Sequence, residues 1–380
     1  VNICVSNPYI EGFAYQENIL TDYFLNAGIE TVIIGANILP KYLKNKKINT
    51  GVYYEAGKKI IRIKCLKLTN ELIISFGLFN QLRKEKPDII FHHNLNTSSL
   101  VVSTLYRIYK KEVILLVDNH ADFINRSPNK IWQLLYYKFL VRLSAKFASP
   151  FTFKFYGVTL LRCDYLHEVY GIKKSKIDFL PIGADLVAAD KIKETKPELR
   201  QEFDLPENSF IFISGGKMGK NKGTDYLIKA FNEITKKHRN IFLLLIGSFL
   251  DNETQVLANE SKNTIFKGWC THETSLRLLK LADVAVWPLH HTTLIEDAIS
   301  VNTPLIIRKT RTTEHLIYRN GIFLQTEEYS ELVDAMNDLL ENYSSNNFKM
   351  YCKRMREKLS YEKISKKVID DVVEFQKQDS

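Results

Sequence analysis

Short apolar runs alternate with longer amphipathic stretches along the whole chain, and this restricts the possible folds more than any other feature. Val113–Val117 is an apolar run without a polar residue, the pattern of a strand covered on both faces of a parallel sheet. Further strands are expected at Asn2–Val5, Thr31–Ile34, Asp88–Phe91, Phe155–Val158 and Ile177–Ile182. Helices are expected at about Gln16–Asn26, Glu71–Lys84, Thr97–Lys110, Lys130–Phe147 and Leu161–Val169. The pattern then runs again, with strands at Phe210–Ile213, Phe242–Ile246, Thr264–Phe266, Val284–Trp287, Pro304–Ile307 and Ile322–Leu324 separated by helices. Two rounds of βα alternation predict an α/β protein of two Rossmann-like, doubly wound domains. The chain has 380 residues, enough for two cores. After Asp185 the stretch LVAADKIKETKPELR offers little to bury. The expected division is therefore a first domain over 1–185, a linker over 186–198 and a second domain over 199–358. Ligands of such sheets lie beyond the carboxyl ends of the strands, so the cleft between two facing domains is the expected site.

The stretch Ile211–Ala230, IFISGGKMGKNKGTDYLIKA, has the make-up of an anion site. A strand turns through Gly215 and Gly216, passes Lys217, Lys220 and Lys222, and enters a helix near Thr224. The free N–H groups and positive dipole of a helix start favour an anion, and glycine lets the backbone approach it. Asn221 follows Gly219-Lys220, so this is no Walker A loop. Other polar clusters fall at expected strand ends. Glu11 and Gly12 lie in the loop after the first strand, and Gln16 opens the next helix. Asp118, His120 and Asp122 follow Val113–Val117, where His120 suits a sugar hydroxyl and either aspartate could orient it. Arg162 lies at the start of a helix and carries a fork suited to phosphate. In the second half, the loop Leu289–Thr293, with His291 and Thr292, leads into a helix bearing Glu296 and Asp297. Carboxylates there suit the helix dipole, and they also suit a ribose or sugar diol.

Charge is distributed unevenly. Residues 1–185 contain 25 Lys and Arg against 15 Asp and Glu, so the whole net charge of +10 belongs to the first half. That excess points to a polyanionic partner, and no nucleic-acid reading module accompanies it. Within Lys130–Phe147, Lys130, Lys138, Arg142 and Lys146 recur at multiples of four, while Trp132, Leu135, Tyr136, Phe139 and Leu143 fill another face. A basic face beside an aromatic one suits an anionic membrane surface. No apolar run approaches the roughly 18–20 residues that span a bilayer, and the N-terminus reads as a buried strand. The five cysteines are scattered without a CxxC, so reduced thiols, no metal site and a cytoplasmic setting are expected.

GGKMGKNKGTDYLIKAF, LLLIGS, FKGW and ADVAVWP…IEDAISVNTPLII, in that order, resemble the retaining nucleotide-sugar glycosyltransferases of family GT4. EGFAYQENIL…GIETVII, DNHADF and LHEVYGIKKSKIDFLPIGAD fit the same family, more narrowly its bacterial surface-polysaccharide members. The resemblance implies a GT-B fold, with the acceptor at the first domain, the donor at the second, and a last helix over 359–380 crossing back to the first. It implies a nucleotide-sugar donor, a glycan or lipid-linked acceptor, a peripheral position at the inner face of the membrane and no cofactor. By position, Lys217 matches the family's diphosphate-binding arginine and Lys222 its partner lysine. Gly12 matches the glycine beneath the diphosphate, and His120 the histidine near the sugar's hydroxymethyl group. Glu296 or Asp297 matches the ribose carboxylate, with Glu296 preferred. Gly216, His291 and Thr292 fall in the donor-binding loops, and Glu11, Gln16, Asp118, Asp122 and Arg162 on the acceptor or cleft side. His120, Lys217, Lys222 and Glu296 are the expected catalytic set. The chain departs from the family's E-x7-E pattern, since counting back from Asp297 gives Leu289 and from Glu296 gives Pro288. There is no Asp-x-Asp, which argues against a metal-dependent, single-domain transferase. A nucleotide-sugar 2-epimerase of the same fold and a non-catalytic nucleotide-sugar-binding subunit are the alternatives.

Overall fold

The computed structural model describes residues 1–5, 9–10, 13–38, 48–69, 72–95, 98–123, 130–343 and 347–379. The chain forms two compact units, residues 1–181 with 364–380, and residues 182–363.

The strands of the first unit are β1 (Asn2–Cys4), β2 (Val32–Ala36), β3 (Gly51–Glu55), β4 (Lys58–Ile63), β5 (Cys65–Lys67), β6 (Ile73–Ser75), β7 (Ile89–His92), β8 (Ile114–Asn119), β9 (Lys154–Gly157) and β10 (Ile177–Phe179). Eight of them make one sheet in the order β10-β9-β8-β7-β1-β2-β4-β3, while β5 and β6 pair separately. All pairs of the large sheet are parallel except β3 with β4. Every residue of β8 is buried, as its apolar run predicts for a strand covered on both faces.

Three expectations differ here. The hairpin β3–β4 leaves no trace in the reading above, because β3 is an edge strand with mostly exposed side chains and so lacks an alternating pattern. The helix expected over Glu71–Lys84 begins only at Leu78, after the short strand β6. The expected single apolar face of Lys130–Phe147 is split in two. Gln133–Val141 winds as a π-helix, whose i→i+5 hydrogen bonding is out of phase with a 3.6-residue pattern. Tyr136 is buried with Trp132 stacked on it at 4.9 Å, whereas Leu135, Phe139 and Leu143 are 57, 66 and 59% exposed.

The second unit is a six-stranded, wholly parallel sheet. Its strands are β11 (Phe210–Met218), β12 (Ile241–Phe249), β13 (Thr264–Phe266), β14 (Val284–Trp287), β15 (Leu305–Arg308) and β16 (Gly321–Leu324), in the order β13-β12-β11-β14-β15-β16. The stretch expected as a linker belongs to this unit. It forms helices at Leu186–Lys191 and Lys196–Glu202, the latter with Leu199 and Arg200 buried. The Arg200 guanidinium reaches Asp283 at 2.7 Å and the Leu281 carbonyl at 3.2 Å, contacts that a composition-based linker reading cannot register. The end of the last helix packs with the first unit, where Asp371 accepts hydrogen bonds from Tyr156 at 2.8 Å and Lys154 at 2.9 Å.

Candidate functional site

Each unit gathers polar residues at the carboxyl ends of its central strands. In the second unit, the strand does not turn at Gly215 and Gly216 as expected: β11 continues through both to Met218, paired along its length with β12, and the Gly216 φ of 101° is reached at little cost only by glycine. A Cβ there would lie 3.4 Å from Thr292 Oγ1, so the end of β11 and the Leu289–Thr293 loop are neighbours. Gly223, with φ 74°, caps the helix Thr224–Ile234. A Cβ on it would come within 2.7 Å of Leu289, so this helix start is held close beneath the same loop.

The three lysines differ. Lys220 is occupied, its N–H donating to Asp251 at 3.1 Å and its ammonium pairing with Glu253. Lys217 is exposed and Lys222 half-buried, and among the described residues neither has a carboxylate partner. Burial, together with the charge of Lys222, pushes His290 below the ordinary histidine value.

Glu296 and Asp297 occupy different surroundings. Glu296 is 1% exposed, with Oε1 bonded to His291 Nε2 at 2.7 Å and a buried Oε2 without a hydrogen bond among the described residues. Asp297 keeps 16% side-chain exposure and meets His272 Nε2 at 3.1 Å. Burial raises the Asp297 pKa although His272 opposes it. His272 is raised in turn, Asp297 overcoming the effect of burial. His315, beside Glu296 and His291, is lowered by burial to about 4.

In the first unit, Asp118 on β8 is fully buried. Its Oδ2 lies 2.6 Å from His93 Nδ1 and 3.4 Å from His120 Nε2, and its Oδ1 accepts the Asn94 N–H at 2.8 Å. Burial alone would raise the Asp118 pKa, but His93 and His120 hold it well below the carboxylate range. His120 is 19% exposed, and its Nε2 also faces Glu17 Oε1 at 3.6 Å. Of the two candidates for orienting His120, Asp118 is therefore the one in contact. Asp122 instead pairs with Arg162 at 3.3 Å. That contact engages the guanidinium suggested for phosphate, and Arg162 is 8% exposed. Gln16 is buried and donates to the Pro181 carbonyl at 3.4 Å. Glu11 and Gly12 lie outside the described residues.

His93 and Glu17 were not singled out from the sequence. The available signal was the pair His92-His93 directly behind an apolar strand, next in order to the one that ends at Asp118. His92 itself bonds Ser99 at 2.8 Å, and burial lowers it to about 3.

Residues 195–360 match the family described as "Glycosyl transferases group 1". An uncharacterised glycosyltransferase of Methanocaldococcus jannaschii is 24% identical over 252 residues, covering 61% of this chain and 58% of that protein. The alpha-galactosylglucosyldiacylglycerol synthase of Streptococcus pneumoniae is 26% identical over 36% of this chain and 39% of its own length. The chain thus aligns with less than two thirds of the length of these relatives. Among solved structures, Anabaena HepE in complex with UDP superposes with a TM-score of 0.71 at 14% identity, covering 98% of this chain and 99% of that one.

Proposed function

We propose that this chain, which has the GT-B fold and carries a glycosyltransferase group 1 segment, is a retaining glycosyltransferase. It moves a sugar from a nucleotide-diphosphate donor to a glycan or lipid-linked acceptor in surface-polysaccharide synthesis. The carrying observation is the glycine-bearing end of β11 and the Gly219–Gly223 turn that leads from it into a helix N-terminus, with Lys217 and Lys222 free of carboxylates among the described residues. Breaking the sugar–phosphate bond leaves an oxocarbenium-like sugar and a diphosphate with added charge. Two unpaired ammonium groups and a helix start are suited to that charge. HepE, whose fold the chain shares, is described in complex with UDP.

The ribose carboxylate in this reading is Asp297, since Glu296 is committed to His291 and shielded from solvent. His120 contacts the donor sugar. No metal takes part, because the lysines supply the positive charge that an Asp-x-Asp metal site would otherwise hold. A panel of nucleotide sugars, scored for binding, slow donor hydrolysis and transfer, tests the reading. At least one donor should be transferred with the anomeric configuration kept, and chelator should leave the rate unchanged. Epimer and free nucleotide diphosphate without an acceptor would identify the epimerase instead, and binding without turnover a non-catalytic subunit.

The same enzyme sits on the cytoplasmic face of an anionic membrane. Supporting this, Ile131, Leu134, Leu135, Phe139, Leu140, Leu143 and Phe147 are between 39 and 71% exposed on one helical run. Every charged residue of that run is basic. A bare apolar band with only cations around it fits acyl chains beneath anionic headgroups, and each cation contributes about 1 kcal/mol there. No helix among the described residues is long and apolar enough to cross a membrane. Sedimentation with anionic vesicles at low salt should be lost in 1 M salt and weakened in Lys138→Glu/Arg142→Glu. No binding to anionic vesicles would overturn it.

A further inference from the structure

We propose that His93 is a positioning residue, a buried imidazolium that keeps Asp118 a carboxylate and thereby fixes the ring of His120. His93 is 1% exposed and follows β7, between β1 and β8 in the sheet. Both of its ring nitrogens meet oxygens, Nδ1 with Asp118 Oδ2 at 2.6 Å and Nε2 with Asn2 Oδ1 at 3.3 Å. A neutral imidazole carries one N–H and one lone pair, and a lone pair turned on either oxygen would be repulsive. With the Asn2 carbonyl facing the ring, two N–H groups satisfy both, and the Asp118 carboxylate beside Nδ1 favours that charged form, which makes a net-neutral pair. A lone buried carboxylate would take up a proton. With His93 charged, Asp118 keeps its negative charge 3.4 Å from His120 Nε2, while its Oδ1 accepts the Asn94 N–H.

The charged and titratable groups around His93 act in both directions. Burial opposes its charge, as does the Val1 amino group, while Asp118 and Glu17 outweigh them and raise His93 above the ordinary histidine value. His92, its neighbour, is held neutral by burial and by the charge of His93. Phe91 packs on the ring at a centroid distance of 4.5 Å, so the pair sits against an apolar floor that water does not screen.

The importance of His120 rests on the transferase reading, but the protonation state of His93 does not. The first test is therefore nitrogen NMR of the histidine-labelled full-length chain without substrate, with signals assigned from single-histidine variants. His93 should show both ring nitrogens protonated at pH 7.5, and a neutral ring at that pH would overturn the proposal. The second test is His93→Gln. The His120 Cε1–H signal should change from one sharp line to a broadened or doubled one, and an unaltered signal would show that His93 does not position it. The third test is kinetic. His93→Gln should lower kcat about tenfold or more with donor KM within about twofold, the pattern of a misplaced group rather than a lost binding contact. A raised donor KM at unchanged kcat would overturn it. A native enzyme without transfer activity, but with His93 protonated and His120 ordered, would refute the transferase reading and leave the pair standing.

Discussion

The strand ends of the two units handle charge in opposite ways. At the ends of β8 and β7, Asp118 and His93 are both buried and their charges face each other. At the end of β11, Lys217 lies exposed, and in the following turn Lys222 lies half-exposed beside a helix start, with no carboxylate paired to either among the described residues. A compensated buried pair holds geometry, whereas an uncompensated cation at a helix N-terminus is available to a ligand.

The largest expected effect probes the buried side. Asp118→Asn removes the counterion of buried His93, which must then stay unpaired or give up its proton, and breaking such a pair costs about 3–5 kcal/mol. Denaturant unfolding should register that loss, while Lys220→Ala, which removes an exposed pair with Glu253, should leave the midpoint in place. Equal losses in the two variants would erase the contrast. Adding His93→Gln to Asp118→Asn should recover part of the loss, because the uncompensated charge is then gone.

Next comes the exposed side. Lys217→Ala or Lys222→Ala should lower transfer by about 10²-fold or more, the scale of one lost transition-state contact, with the melting temperature unchanged. Near-native turnover in both variants would refute the donor-site assignment.

A smaller effect separates the adjacent carboxylates. Asp297→Asn should raise donor KM about tenfold, as for a lost hydrogen-bonding contact. Glu296→Gln should instead lower stability through His291, with KM little changed. The reverse result would return the ribose role to Glu296.

The pH dependence of stability is the mildest probe. His92 and His315 are lowered to about 3 and about 4. Between those values and the ordinary histidine value the unfolded chain binds more protons than the folded one, so stability falls as pH drops from about 6.5 toward 4. His93 has the opposite sign. Its raised pKa gives stability that is full below the ordinary histidine value and lost as pH rises through the folded value. The contribution of Asp118 is present above the ordinary carboxylate value and lost only as pH falls through its lowered one. The melting temperature should therefore decline by a few degrees or more from pH 6.5 to 4, and His315→Gln should flatten the upper part of that decline.

The sequence alone determined the βα order and the two large sheets and marked the glycine–lysine stretch, but not that β11 runs on through Gly215 and Gly216 to Met218. Apolar periodicity, glycine placement and helix starts are local properties, set by neighbours within one element. It also marked His120 and Asp118, because polar residues behind an apolar strand stand out in one dimension. It did not yield the edge hairpin β3–β4, the helical character of the expected linker, or the two apolar faces of the π-wound helix. Those follow from which side of an element is left uncovered. The pairings were decided only by the tertiary structure. His93 is 25 residues from Asp118 and 91 from Asn2, and the strand order β8-β7-β1 brings all three side by side. Glu296 and Asp297 are adjacent in sequence and look interchangeable, but the rotation of about 100° between consecutive helical residues sends the first inward to His291 and leaves the second partly open to solvent. Burial and partner decide what an ionisable side chain can do, and both are set by residues far away in the chain.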